Sequence, residues 1–271
     1  MTKDLVGIRD MSVEDIELTL GTALSFKEVL KRDIKKVPTL RGKTSVNLFF
    51  EPSTRTKTSF ELAEKRLSTD VLSFAVPTSS VVKGESLIDT VKAIEAYGVD
   101  YIIIRHHSSG VPHLLSGISK ASIINAGDGI NEHPTQALLD AFTIREKRGS
   151  IEGLNVAIVG DIFHSRVAKS NIYCLKKLGA NVRLIAPDTM IPHGIEREVE
   201  SIYNNMEDGI KDADVVMVLR IQKERQSAGF LSSIPEYFRF WGLTKEKLAK
   251  ARPSAIVMHP GPMNRGVEID S

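Results

Sequence analysis

Residues 49–61, FFEPSTRTKTSFE, join an apolar run to a helical pattern through Pro52, and Ser53, Thr54, Arg55 and Thr56 crowd the joint. A helix start carries unpaired backbone N–H groups and partial positive charge, which makes it receptive to anions. Hydroxyls donate to tetrahedral oxygens, and a planar guanidinium binds two of them at once. Together these groups suit a phosphate. A serine cap beside a surface arginine would explain any one of them; four in succession favour the phosphate reading. The pattern GxxxxGK[ST] is absent, so a nucleoside triphosphate is not the obvious ligand.

The elements that must position these groups alternate. Short apolar runs at 45–50, 71–74, 101–104 and 122–124 are separated by helical patterns at 57–67 and 86–97, after a first helix that Ser12 opens and that runs to about residue 31. Residues 134–147 read as a helix with Pro134 in its first turn, Leu138, Ala141 and Ile144 on one face, and Gly149 closing it. The logic then repeats: strands at 155–159, 181–185, 214–219 and 255–258, with a helix at 166–178. Alternation of this kind predicts an α/β fold of two similar-sized domains, each with a mainly parallel sheet flanked by helices. The division expected is 1–133 and 134–271, with 134–148 as the linking helix. Ser53, Arg105, Gly160 with Asp161, Arg220, and His259 with Pro260 all follow strands. Ligands of parallel sheets bind outside the carboxyl ends of strands, so the expected site is a cleft between the two domains.

Composition narrows the classes. Hydrophobic residues at 42% and charged residues at 26% suit a globular chain. Lys plus Arg (36) nearly balances Asp plus Glu (34), so no global field points to nucleic acid or membrane, and anion binding must rest on a few placed charges. A single cysteine, Cys174, leaves no internal disulfide framework and fits a reducing cytoplasm; on its apolar helical stripe it reads as packing. No apolar run approaches the roughly 20 residues that span a bilayer, and the first residues lack a secretory pattern.

The run PSTRTKTSFE resembles the carbamoyl-phosphate-binding segment of the aspartate and ornithine carbamoyltransferases, and HPTQALLD (residues 133–140) resembles that family's second motif. The resemblance extends from the first helix to the last residues. It implies that the first domain binds carbamoyl phosphate and the second the amino acid. It implies that Ser53, Thr54, Arg55, Thr56 and Arg105 hold the phosphate, and that His133 and Gln136 lie beside the carbamoyl group. Residues 79–85, SSVVKGE, resemble the mobile loop of the aspartate-specific branch, in which Ser79 and Lys83 would reach a neighbouring subunit's site. Arg220 and Gln222 match its aspartate-binding loop, and Arg166 supplies a second carboxylate grip. Pro260 and Gly261, in HPGPM, would form a rigid turn over the carbamoyl group, with a cis peptide expected there.

Ornithine enzymes carry Ser-Met-Gly and His-Cys-Leu-Pro segments that this chain lacks. Charge agrees: carbamoyl phosphate and aspartate are both anionic, and Arg55, Lys83, Arg105, Arg166 and Arg220 face them. The resemblance therefore implies carbamoyl transfer to L-aspartate, giving N-carbamoyl-L-aspartate and phosphate for pyrimidine biosynthesis. It implies no metal and no organic cofactor, because the donor arrives activated. Arg55, Thr56, Lys83, Arg105 and His133 are the expected catalytic groups, with Thr56, Arg105 and His133 aimed at the carbonyl oxygen. A homotrimer with shared sites is expected, and regulatory chains would be compatible with it.

Three rivals stay open: transfer to another amino acid such as ornithine, a non-catalytic binding homologue, and a nicotinamide-binding protein. The last is disfavoured because residues 160–166, GDIFHSR, lack GxGxxG. The resemblance also leads one to expect a final helix returning to the first domain, whereas this sequence stops at Ser271: either the chain is shortened or this member dispenses with that helix, and weaker domain closure is expected in both cases.

Overall fold

The computed structural model describes residues 3–74, 85–221 and 233–271; Ser79, Lys83 and Gln222 lie outside them. The chain divides into two compact units, Met1–Thr135 and Gln136–Ser271.

In the first unit, helix α1 (Val13–Val29) starts at Ser12, whose hydroxyl accepts the Asp15 N–H at 3.1 Å. Strands β1 (Thr44–Phe49), β2 (Asp70–Phe74), β3 (Tyr101–His106) and β4 (Ser122–Asp128) form a parallel sheet in the order β2-β1-β3-β4. Helices α2 (Thr54–Arg66), α3 (Leu87–Glu95) and α4 (Val111–Ser116) accompany it. Val46, Leu48, Ile102, Ile104 and Ile123 are buried with Val91, Ile94 and Leu115 from α3 and α4. Phe49, Ile103 and Ala126 form a separate cluster against which Phe60 of α2 packs. Each large apolar side chain so buried contributes roughly 1.5–3 kcal/mol.

Two polar groups tie α2 to the sheet. Asn47, fully buried on β1, donates through Nδ2 to Oε2 of buried Glu64 at 2.6 Å, and burial pushes the Glu64 carboxyl above its ordinary pKa. The helix begins at Thr54, three residues before the apolar pattern suggests, so all of Thr54, Arg55 and Thr56 belong to its first turn. Strand β4 also outruns its apolar residues. Asn125 and Asp128 are fully buried there because Asn125 Nδ2 donates both to the Val6 carbonyl at 2.8 Å and to Asp128 Oδ1 at 2.9 Å.

In the second unit, helix α5 (Pro134–Arg148) opens the chain's next segment, and Leu138, Ala141 and Ile144 are buried as its periodicity requires. It stops at Gly149, whose φ of +81° suits glycine and whose N–H donates to the Arg145 carbonyl at 2.8 Å. Strands β5 (Asn155–Val159), β6 (Asn181–Ile185), β7 (Ser201–Tyr203), β8 (Val215–Val218) and β9 (Ile256–Met258) make a parallel sheet ordered β7-β6-β5-β8-β9. Helices α6 (Arg166–Lys177), α7 (Met206–Ile210), α8 (Ile234–Trp241) and α9 (Lys245–Leu248) complete it. Cys174 is fully buried on α6 as packing, and Trp241 packs against the core that Ala157, Val159, Val216 and Leu243 form. A buried charge cluster fastens the amino ends of this sheet: Asp214, fully buried, accepts from Arg148 Nη2 and Arg252 Nη1, each at 2.8 Å, and from the Asn155 N–H at 3.0 Å.

Candidate active site

The strand order decides where a ligand can enter each unit. In the first, the chain moves outward from β1 to β2 and then crosses to the other side of β1 for β3. The switch point therefore lies between β1 and β3, and the crevice at the carboxyl ends of those strands is the favoured ligand position. Ser53, Thr54, Arg55 and Thr56 follow β1, and Arg105 is the register partner of Phe49 on β3. The phosphate-type groups and Arg105 thus stand at adjacent strand ends.

The helix end is chemically open. Ser53 occupies the cap position of α2, yet its hydroxyl makes no capping hydrogen bond, and the first turn holds no acidic residue. The N–H groups of Thr54, Arg55 and Thr56 point out of the helix start with no carbonyl behind them. Ser53 and Thr56 are half-buried, and Thr54 and Arg55 are exposed.

Arg105 is held on two sides. Its Nη1 donates to the Ala126 carbonyl at 3.1 Å, and its Nε lies 3.2 Å from Oε2 of Glu51. Glu51, in the same segment as Ser53, is a site residue that the sequence reading left without a role. Next along β3, His106 is buried and stacked on His107, 4.2 Å between ring centroids. Burial first, and the neighbouring His107 second, hold its pKa below the ordinary histidine value. Arg105 is the fixed positive charge at this strand end.

His133 is buried after β4, with Nδ1 3.4 Å from the Thr135 hydroxyl. The residue before it is anchored: Glu132 Oε2 accepts the Ile8 N–H at 2.8 Å, and its own N–H donates to Asp128 Oδ1 at 3.0 Å. The turn that carries His133 is thereby fixed to the body of the first unit.

In the second unit the switch point lies between β5 and β8. Gly160, at φ +120°, follows β5; a Cβ there would stand 3.3 Å from the Leu219 Cβ and 3.2 Å from the Tyr237 hydroxyl, so a side chain has little room. Arg166 begins α6, where Ser165 caps the helix by accepting the Ala168 N–H at 3.1 Å. Arg166 is 4% exposed, so its guanidinium is withdrawn from bulk water. His164, buried two residues earlier, places Nδ1 2.9 Å from Oδ2 of buried Asp161. Arg220, half-buried, follows β8 on the other side of the switch point.

His259, Pro260 and Gly261 follow β9, and the Gly261–Pro262 peptide is cis. Glu268, fully buried, holds this turn: its Oε1 lies 3.2 Å from His259 Nε2, and its Oε2 accepts Asn264 Nδ2 at 3.2 Å. Asn264 Nδ2 also reaches the Ile221 carbonyl at 3.3 Å, linking this turn to the segment that carries Arg220. Gln136, half-buried on α5, donates through Nε2 to Oδ1 of Asp140 at 2.9 Å. Glu51, Asp140 and Glu268, to which the sequence assigned no role, lie inside or beside its motifs and bond to motif residues. Their signal was position within the motif; their partners are set by tertiary structure. Among the described residues no cluster of His, Cys, Asp and Glu has the makings of a metal site.

Two parallel α/β units carry an open helix start and an arginine at the first switch point and two arginines about the second, an arrangement whose charge suits anionic small molecules at the carboxyl ends of the strands. The chain belongs to the aspartate/ornithine carbamoyltransferase family: the model of that family's carbamoyl-P binding domain matches residues 3–146, and the model of its Asp/Orn binding domain matches residues 152–271. It is 60% identical over 269 residues to the aspartate carbamoyltransferase catalytic subunit of Syntrophotalea carbinolica, covering 99% of this chain and 86% of the relative. The corresponding subunit of Moorella thermoacetica is 58% identical over 98% of this chain and 87% of its own length. Among solved structures, aspartate transcarbamoylase from Trypanosoma cruzi in complex with carbamoyl phosphate superposes with a TM-score of 0.87 at 29% identity, over 99% of this chain and 87% of that one. Ornithine carbamoyltransferase from Pyrococcus furiosus gives 0.87 at 31% identity, over 98% and 87%.

Proposed function

We propose that this chain is the catalytic subunit of an aspartate carbamoyltransferase, which transfers the carbamoyl group of carbamoyl phosphate to the amino group of L-aspartate in cytoplasmic pyrimidine biosynthesis. The observation that carries it is the uncapped, acid-free start of α2 beside Arg105 at the switch point of the first unit. In the reading proposed, residues 1–133 bind carbamoyl phosphate and residues 134–271 bind aspartate. Ser53, Thr54, Arg55, Thr56 and Arg105 hold the phosphate, and Arg166, Arg220 and Gln222 hold the aspartate carboxylates.

The chemistry follows from charge. The aspartate amine attacks the carbonyl carbon, the C–N bond forms, and negative charge develops on the carbonyl oxygen. Donors aimed at that oxygen lower the barrier, each worth about 3 kcal/mol, and Thr56, Arg105 and His133 take this role. The C–O bond to phosphate then breaks, the helix start and Arg55 receive the leaving charge, and the departing phosphate takes the amine proton. Pro260 and Gly261 cover the carbamoyl group and Gln136 contacts it. Holding two anions in contact supplies much of the rate. Among the described residues, the acids beside the phosphate and Arg166 motifs are engaged rather than open to the cationic side chain of ornithine: Glu51 is paired with Arg105, and Asp161 with His164.

Activity is expected as a homotrimer, because Ser79 and Lys83 match a loop that serves a neighbouring site. Purified protein given carbamoyl phosphate and aspartate should release carbamoyl-aspartate and phosphate one for one, with a chelator present. Lys83→Ala and Arg55→Ala chains, each inactive alone, should regain activity when mixed and reassembled. Failure to form carbamoyl-aspartate overturns the function; no recovery after demonstrated subunit exchange overturns the shared site.

A further inference from the structure

Asp140 lies 7% exposed on α5, one turn after Gln136, and both of its carboxylate oxygens accept from amides. Oδ1 takes Gln136 Nε2 at 2.9 Å and Oδ2 takes Asn171 Nδ2 from α6 at 2.8 Å. Asn171 cannot turn over freely, because the same Nδ2 also donates to the Val167 carbonyl at 3.1 Å. An ionised carboxylate only accepts, so Gln136 must direct its NH2 inward at Asp140 and present its carbonyl Oε1 outward. That Oε1 accepts no hydrogen bond from the described residues, and Gln136 is only half-buried.

We infer that Asp140 is a positioning residue that fixes Gln136 with its acceptor end toward the carbamoyl group, so that the enzyme selects a donor bearing NH2 over one bearing a methyl. The inference rests on the function proposed above. A carbamoyl group offers two N–H donors beside its carbonyl; an acetyl group of the same shape offers none. A site built to accept a donor rejects the analogue that lacks it, because the acceptor is left unpaired. Burial holds the Asp140 pKa at about 6, so at neutral pH it is predominantly the acceptor this orientation requires.

The substitution Asp140→Asn inverts the arrangement without changing its shape. Asn171 keeps its NH2 inward through Val167, so the new asparagine turns its oxygen to Asn171 and its NH2 to Gln136. Gln136 then rotates its own oxygen inward and faces the carbamoyl group with a donor. The dissociation constants of carbamoyl phosphate and acetyl phosphate, measured by equilibrium competition at pH 7.5, read this directly. In D140N the preference for carbamoyl phosphate should fall by roughly tenfold or more through weaker carbamoyl phosphate binding. In a Gln136→Ala background the same substitution should leave the preference unchanged. Should D140N not fold, Asp140→Ala, which frees Gln136 to take either orientation, should lower the preference by a smaller factor. An unchanged preference in folded D140N or D140A, or an equal fall with and without Gln136, overturns the inference. Wild-type protein that binds carbamoyl phosphate no better than acetyl phosphate also overturns it, whereas wild type that prefers carbamoyl phosphate but forms no carbamoyl-aspartate sinks the proposed function instead.

Discussion

Glu51 and Arg105 form an ion pair at the ends of neighbouring strands, with Glu51 Oε2 3.2 Å from Arg105 Nε. The carboxylate aims the guanidinium and also opposes any dianion that binds beside it. Its two effects are separable. Glu51→Ala should tighten inorganic phosphate binding by about threefold through loss of a like charge, and lower kcat by about tenfold through loss of aim. Phosphate competition and steady-state rates check this; weaker phosphate binding with unchanged kcat would contradict it.

Asp140 should give the protein a pH-dependent stability that Asp140→Asn removes. Burial raises its pKa from 3.8 to about 6 in the folded chain, so between those values the fold keeps a proton that the unfolded chain releases. The stabilisation is fully present below about pH 4 and is lost as pH rises through about 6. Its size is about 3 kcal/mol, since each pKa unit is worth about 1.4 kcal/mol. Chemical denaturation of wild type and D140N from pH 4 to 7 measures it: the difference between the two should change across that interval and level off above it. A difference independent of pH would refute the assignment.

Asp214 should be the costliest single polar residue to remove from the second sheet. It is fully buried between Arg148 and Arg252 and also accepts the Asn155 N–H. Asp214→Ala leaves Arg148 facing a buried site without its counterion, and should cost about 3–5 kcal/mol of unfolding free energy. Urea titration reads the loss; a cost below about 1 kcal/mol would mean the cluster is dispensable.

What the sequence disclosed, and what it withheld, divides along local and tertiary lines. Strands β5 and β6 and the starts of α1 and α6 were legible because apolar runs, helical periodicity and a capping serine are local signals: Ser12 caps α1 as its position suggests, and α6 begins at Arg166 as its pattern does. Strand β4 was read short because its last residues are polar, and only the Asn125–Asp128 bond makes their burial tolerable. Helix α4 has six residues and strand β7 three, too few for a periodic pattern, and both were passed over. Arg105 and Gln136 could be named from motifs, yet the acids that hold them, Glu51 and Asp140, could not. Glu51 and Asp140 stood in plain view within those motifs; their partners emerge only when β1 lies beside β3 and α5 beside α6.

In the proposed mechanism, fixed positive groups hold a dianionic donor against a dicarboxylate acceptor. The most direct test is the ratio of kcat/KM for aspartate to that for ornithine, measured with saturating carbamoyl phosphate. Replacing a carboxylate grip by a buried cation–cation contact should make that ratio at least roughly 10³, in line with the cost of unpaired charge in a desolvated site. A ratio near one, or one that favours ornithine, would contradict the account.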